Sequence, residues 1–189
     1  MVRSEDAFAE TFHAYQGINM KKYVFRKHDT IYASFFKVEK RRLMSALGKV
    51  EIIHIGSTAV PGLGGKNFVD AMVGVKTGRL NKLKEPLKKL GYEYGSRGGN
   101  ARRLYFGRNF LYRHKLIRMH VHVVRFNGLD WRKKIAFRDY LIRNRPAMLE
   151  YADIKRKAAK LAGGDKAIYT STKEKFIKRA TKMALKGNR

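Results

Sequence analysis

His54-Ile-Gly-Ser-Thr-Ala-Val-Pro-Gly-Leu63 joins the end of a short apolar run to a turn built from small residues. The apolar run, from Glu51 to Ile55, contains β-branched isoleucines and has the length of a strand. Gly56-Ser57-Thr58 follows at once, and the backbone amides of such small residues can converge on an anion. The pattern therefore predicts a strand that ends in a phosphate-binding turn.

A second strand is predicted from Phe68 to Val75. One face of it is aliphatic and consists of Val69, Ala71, Val73 and Val75. We expect this face to enter the core, so that Asp70 projects from the opposite face. Two interpretations of Asp70 stay open: it is a metal ligand beside a bound phosphate, or it hydrogen-bonds the preceding loop.

Two histidines mark a third strand. From Ile117 to Val123, apolar residues alternate with polar ones, which is the period of a half-buried strand. His120 and His122 therefore project from one face, roughly 7 Å apart along it. If this strand lies beside that of Asp70, the three side chains form a compact site. Two imidazoles and a carboxylate suit a first-row divalent metal, but protonated histidines could also bind phosphate, or the residues could transfer protons. The structural alternative is that the two histidines simply lie on a polar face of the sheet.

The sequence resembles the GrpB family from about residue 54 to residue 177. The matching segments follow one another in order along the chain. They are the stretch from His54 to Leu63, Lys66, Asp70 with Val73-Gly-Val75, Leu90-Gly-Tyr92, His120-Val-His-Val123, Ala136-Phe-Arg-Asp-Tyr-Leu141, Pro146, Tyr151, Lys155 and Tyr169-Thr170.

The resemblance implies the fold of the nucleotidyltransferase superfamily. We expect an α+β fold with a mixed or antiparallel sheet, helices packed on one face and an open cleft on the other. In nucleotidyltransferases that cleft holds a triphosphate at the Gly-Ser turn and two divalent ions on carboxylates at positions i and i+2, with a third on a later strand. Here Met72 stands two residues after Asp70 and cannot coordinate a hard magnesium ion. An enzyme of the transferase class is indicated, but the missing second carboxylate leaves its activity open.

The first functional hypothesis is a nucleotidyltransferase-like protein that binds a nucleotide or another phosphorylated ligand. The candidate phosphate-binding residues are Gly56, Ser57, Thr58, Lys66, Arg103 and Arg138. Asp70, His120 and His122 are the candidate catalytic residues and the candidate ligands of a divalent metal, Mg, Mn or Zn. His54 either orients the turn or is a buried, hydrogen-bonded strand residue.

The second hypothesis is a non-catalytic basic module that binds RNA or a nucleotide-bearing partner. The chain has 43 Lys and Arg against 15 Asp and Glu, a formal charge of +28. Such a surface binds polyanions, with an affinity that falls as salt rises. Between Arg97 and Arg118, basic residues alternate with aromatic ones, which is typical of a single-strand binding surface but also of two ordinary core strands.

Length and composition predict one domain over residues 1–189, with residues 1–28 as an N-terminal extension. No apolar run is long enough for a transmembrane helix, and no signal peptide is recognised, so we expect a cytoplasmic location and no membrane partner. With no cysteines, the 189 residues contain neither a disulfide nor a thiolate metal site.

The helices are predicted from apolar periodicity and end signals. Residues 30–47 form an amphipathic helix, and residues 81–90 form a short one that includes Pro86. Three helices follow in the last third of the chain: one over residues 131–143, one that begins at Pro146 and is broken by Gly163-Gly164, and one over residues 172–185.

Overall fold

The structure is a computed structural model, and it describes residues 24–66, 68–96, 99–100 and 102–186. Most of the predicted N-terminal extension, and Arg97 at the start of the predicted basic and aromatic segment, lie outside these residues. Residues 24–28 run beside the loop between the first two strands, where Arg26 and Gly65 exchange two backbone hydrogen bonds of 2.8 and 2.9 Å.

A five-stranded mixed sheet forms the centre of the fold. Its strands are β1 (Glu51–Ile55), β2 (Phe68–Val75), β3 (Glu93–Tyr94), β4 (Arg103–Tyr112) and β5 (Lys115–Arg125). They lie in the order β1-β2-β5-β4-β3, with β2 and β5 parallel and all other neighbours antiparallel. The predicted α+β class with a mixed sheet is confirmed, and β2 has the predicted bounds.

The first face of the sheet carries the main core. The alternating aliphatic residues of β2, from Val69 to Val75, are buried as predicted. Helices α1 (Ile31–Leu47) and α2 (Lys84–Lys89) cover this face. Pro86 lies in the first turn of α2, where its missing N–H removes no intrahelical hydrogen bond.

Three C-terminal helices stand over the second face. They are α3 (Leu129–Arg143), α4 (Arg145–Ala162) and α5 (Lys166–Lys186). Val60 and Leu63, in the loop between β1 and β2, join their apolar core. Trp131 packs on Met72 and Val124 and so fixes α3 to the sheet. The predicted cleft therefore has the sheet as its floor and α3, α4 and α5 as its far wall.

The largest difference from the predicted helices is at the start of α5. This helix begins at Lys166, six residues before the predicted start. The Asp165 side chain accepts hydrogen bonds from the backbone N–H groups of Ala167 and Ile168, 2.6 and 3.1 Å long. Asp165 therefore caps the helix directly after the Gly163-Gly164 break, and an additional turn carries Tyr169 to the cleft.

No helix in the described part of the chain is both long enough and apolar enough to cross a lipid bilayer.

Candidate functional site

The turn after β1 is held in shape by glycine and by an internal hydrogen-bond chain. Gly56 has a φ of +76°, and a methyl group on its Cα would overlap Asp70 Oδ2. The buried Thr58 hydroxyl donates to the Phe68 carbonyl over 3.1 Å, so it accepts the 3.0 Å hydrogen bond from His54 Nε2. The Thr58 side chain thus supports the turn from inside and does not face the cleft.

His54 combines both roles that were expected of it. Its ring stacks on Phe36 of α1 with centroids 4.4 Å apart, and its Nε2 atom holds Thr58. Burial lowers the pKa of His54 to about 4, and the charge of Asp70 opposes that shift only in part. The imidazole is therefore neutral at physiological pH and acts as a donor that orients the turn.

Asp70, His120 and His122 converge on the floor of the cleft. Asp70 on β2 pairs directly with His120 on the parallel strand β5. His120 Nδ1 donates to Asp70 Oδ1 over 3.1 Å, and His122 Nε2 lies 3.6 Å from the same oxygen. The expected juxtaposition is present, while the chemical roles of these residues remain predictions.

The contacts among these three side chains keep Asp70 ionised. Burial alone would raise the pKa of Asp70, but the contacts from His120 and His122 outweigh burial and hold the pKa well below its usual range. Burial lowers the pKa of His122, and Asp70 opposes that shift. Tyr105 of β4 packs against both histidine rings, at 5.1 and 5.3 Å between centroids, and shields them on one side.

The donor set does not fit the two-ion centre that the family resemblance implies. It offers one carboxylate, and both nearby histidines direct a ring nitrogen at that carboxylate. Met72, at the position of the second carboxylate, is buried in the apolar cluster around Trp131. Within the described ranges, no group of three or more His, Cys, Asp or Glu side chains is arranged to hold a metal ion.

Cationic side chains dominate the rest of the cleft, whose volume is about 1010 Å³. Among the residues that the structure describes, nine lysines and Arg138 line it, against the two carboxylates of Asp70 and Asp130. Helix α5 contributes Lys166, Lys173, Lys178, Lys182 and Lys186. Helix α3 contributes Lys133, Lys134 and Arg138, and the remaining two are Lys66 and Lys155.

Lys155 is the most deeply buried of these lysines, with 4% of its surface exposed. It donates to the carbonyl of Gly64, and a methyl group on Gly65 would overlap both its Nζ atom and Ser57 Oγ. Burial lowers the pKa of Lys155 to about 7, with a further contribution from the charge of Lys173. Burial also lowers the pKa of Lys173, to about 8.

The predicted phosphate contacts Lys66 and Arg138 reach the cleft, and Arg103 does not. Lys66 lines the cleft, and burial lowers its pKa. Arg138 lines it too, but donates to the His54 carbonyl over 2.9 Å and pairs with Asp139 at 2.6 Å, so it also ties α3 to β1. Arg103 lies at the start of β4 opposite Val124, outside the residues that form the cleft.

The segment of alternating basic and aromatic residues serves mainly the fold. Its buried members Leu104, Phe106 and Phe110 belong to the main core. Arg108 donates to the Leu90 carbonyl, and Arg118 bonds Asn109 Oδ1 over 3.1 Å. The positive charge directed at the cleft therefore comes mainly from α3, α4 and α5, with Lys66 added from the loop before β2.

Sequence reasoning did not select Lys155 and Lys173 as site residues. The signal for Lys155 was its position among Tyr151, Ala158 and Ala162 on the buried face of α4, where a lysine is unusual. The signal for Lys173 was weak, because it is one of many lysines on its helix.

Comparisons with known proteins give a consistent result. The family model described as GrpB protein matches residues 22–183. The glutamate-rich protein GrpB of Alkalihalophilus pseudofirmus is 31% identical over 166 residues, which cover 85% of this chain and 95% of that protein. The crystal structure of conserved protein GrpB from Enterococcus faecalis superposes with a TM-score of 0.76 at 28% identity, covering 87% of this chain and 99% of the other.

A structure of the Cid1 poly(U) polymerase with MgGTP bound aligns with 77% of this chain and 46% of its own, at 12% identity and a TM-score of 0.41. Similarity at this level supports no statement about function.

Proposed function

The chain belongs to the GrpB family, and we propose that it binds a nucleotide or another phosphorylated ligand in the cleft between the sheet and helices α3, α4 and α5. The observation that carries this proposal is the charge of the cleft. In the described part of the chain, its lining has ten cationic side chains and two carboxylates, around a glycine-serine turn. An anion of high charge density is the ligand that such a lining stabilises.

The glycine-serine turn supplies the expected position of a phosphate. Gly56 and Ser57 both line the cleft, and the backbone can approach a ligand closely at Gly56 because it carries no side chain. Lys66 lies at the end of the same loop. Its ammonium group is 4.8 Å from the centroid of Phe68 and 5.3 Å from that of Tyr169, inside the cleft.

The second carboxylate of a two-ion centre is missing and lysines line the cleft, so we propose that ammonium groups neutralise much of the phosphate charge. A nucleotidyl transfer that needs two metal ions does not fit the donor set. A single divalent ion bound together with a phosphate remains a measurable alternative. The Asp70 and His120 pair is suited to hold a proton at the cleft floor, which is the acid-base role we assign to it.

A thermal-shift screen tests the proposal. The purified protein is melted with nucleoside mono-, di- and triphosphates, once with excess EDTA and once with Mg, Mn or Zn. A ligand that binds the folded state raises the melting temperature. We expect nucleotides to raise the melting temperature in EDTA. A shift that appears only with metal would mean that a metal ion, and not the lysines, neutralises the phosphate charge. No shift under either condition would contradict the proposal.

A matched pair of glycine variants locates the bound ligand. Gly56→Ala places a methyl group against Asp70, whereas Gly78→Ala has a similar φ of +81° and no atom within 4 Å of the new methyl group. Both variants strain the backbone. Only Gly56→Ala is expected to abolish the nucleotide-dependent shift, and equal loss in both would show that the effect is general destabilisation.

The second hypothesis, RNA binding, is favoured by one specific feature. Lys178, Lys182 and Lys186 repeat every four residues along α5 and all line the cleft, so they form a basic stripe. If this stripe binds single-stranded RNA, Lys178→Gln, Lys182→Gln and Lys186→Gln together should lower the affinity and its salt dependence. Asp70→Ala should leave such binding intact while it abolishes any turnover.

A further inference from the structure

The inner corner of the cleft holds two lysines close to the glycine-serine turn, one from α4 and one from α5. Lys155 extends from α4 over Gly65 and donates to the Gly64 carbonyl. Lys173 extends from α5, and its ammonium group is 3.9 Å from the centroid of Tyr169. None of the ion pairs among the described residues includes either lysine.

The groups around Lys155 leave an excess of positive charge. Lys66 comes from the loop before β2, Lys173 from α5 and Asp70 from β2. The uncharged groups that face this corner are Ser57, the Tyr151 ring at 5.5 Å on the same helix, and Tyr169 on α5. Asp70 is the one carboxylate among these groups, and it is already in contact with His120 and His122.

We infer that Lys155 and Lys173 form a second anion subsite beside the glycine-serine turn, which takes the terminal phosphate of a ligand with two or more phosphates, and that Lys155 takes up a proton when that phosphate binds. The inference rests on the proposed function and narrows its ligand to the polyphosphate class. One phosphate lies at the turn with Lys66, and the next reaches the lysine pair.

The proton uptake follows from burial and from the neighbouring charges. Burial, with repulsion from Lys173 and Lys66, holds the pKa of Lys155 at about 7, so that much of this lysine is neutral at pH 7.5. A phosphate brings negative charge and raises the pKa. Affinity is therefore highest below the pKa of the free protein and falls as the pH rises through the pKa of the complex.

Titration calorimetry with ADP and AMP, in EDTA and at pH 7.5, tests this. Repeating the ADP titration in buffers of different ionisation enthalpy gives the number of protons taken up. The variants are Lys155→Met, Lys155→Arg, Lys173→Met and the control Lys157→Met, which is two residues along α4 and exposed. Lys155→Arg keeps the charge without titrating, so its difference from wild type isolates the proton taken up by Lys155.

We expect wild type to bind ADP at least tenfold more tightly than AMP, and to take up between about half a proton and one proton more than Lys155→Arg. Lys155→Met and Lys173→Met should each remove most of the preference for ADP, and Lys157→Met should retain it. Three results would each overturn this inference and leave the proposed function intact. They are equal binding of ADP and AMP, unchanged affinity in Lys155→Met, and equal proton uptake in wild type and Lys155→Arg. Absence of any binding to wild type overturns the proposed function with it.

Discussion

Replacement of Lys155 by Met should change how the stability of the protein depends on pH. The pKa of this lysine is about 7 in the folded protein and 10.5 in an unfolded chain. Between these values the folded state binds fewer protons than the unfolded state, so the wild-type free energy of unfolding rises with pH. Met has a similar length, cannot ionise and removes this contribution.

The expected magnitude follows from the two pKa values. Keeping Lys155 buried costs about 4 kcal/mol of stability at pH 7 and about 2 kcal/mol at pH 9, because folding releases a proton from this lysine and that release becomes less costly as the pH rises. Loss of the hydrogen bond to Gly64 costs about 1 kcal/mol at both values of pH. Lys155→Met should therefore be more stable than wild type, and this gain in the free energy of unfolding should be about 2 kcal/mol larger at pH 7 than at pH 9.

Urea unfolding provides the measurement. Trp131 is the single tryptophan of the chain and is buried, so its fluorescence reports the loss of the packing between α3 and the sheet. Lys157→Met is the matched control and should track wild type at both pH values. A difference between Lys155→Met and wild type that is the same at pH 7 and pH 9, or larger at pH 9, would refute the burial argument.

Three further substitutions test the support of the site and of the core. Thr58→Val keeps the shape of the side chain but removes the hydrogen-bond partner of His54 and of the Phe68 carbonyl. It should lower the free energy of unfolding in urea by about 1–3 kcal/mol. ADP affinity, measured below the unfolding transition, should change little, in contrast to Gly56→Ala. Tyr92→Phe removes the 2.9 Å hydrogen bond to the buried Glu39 carboxylate and should also cost about 1–3 kcal/mol. Burial raises the pKa of Glu39, so this group contributes stability at acid pH that is lost as the pH rises through its folded-state pKa. Glu39→Gln should therefore make the free energy of unfolding less dependent on pH, as measured by unfolding curves between pH 4 and pH 8.

Local patterns were sufficient to predict β1, β2 and the central part of β5, whereas the mixed or antiparallel sheet was implied by the family resemblance. Alternation on β2 and β5 assigned the core faces, and side-chain period two put Asp70, His120 and His122 on the opposite side. The parallel pairing that aligns Asp70 with His120 is a long-range contact, and it entered the prediction only as a condition. The family resemblance supplied the cleft as a feature of the fold.

The wall of the cleft could not be predicted in the same way. Periodicity identified α4 and α5, but it did not show that their cationic side would face the glycine-serine turn. A chain with 43 Lys and Arg offers many lysines. Lys155 differs from the others by its place on the buried face of α4, but its contact with the loop between β1 and β2 depends on how α4 packs. Arg103 illustrates the opposite case, because its sheet face is suitable but its position along β4 lies beyond the cleft.

The position of the bound phosphates is the most direct test of the central claim. A crystal structure of the protein with ADP, grown in EDTA, should show one phosphate at Gly56 and Ser57 and the second between Lys155 and Lys173. Phosphates bound only on the outer surface of α5, or an adenosine diphosphate held elsewhere with this corner filled by water, would contradict it.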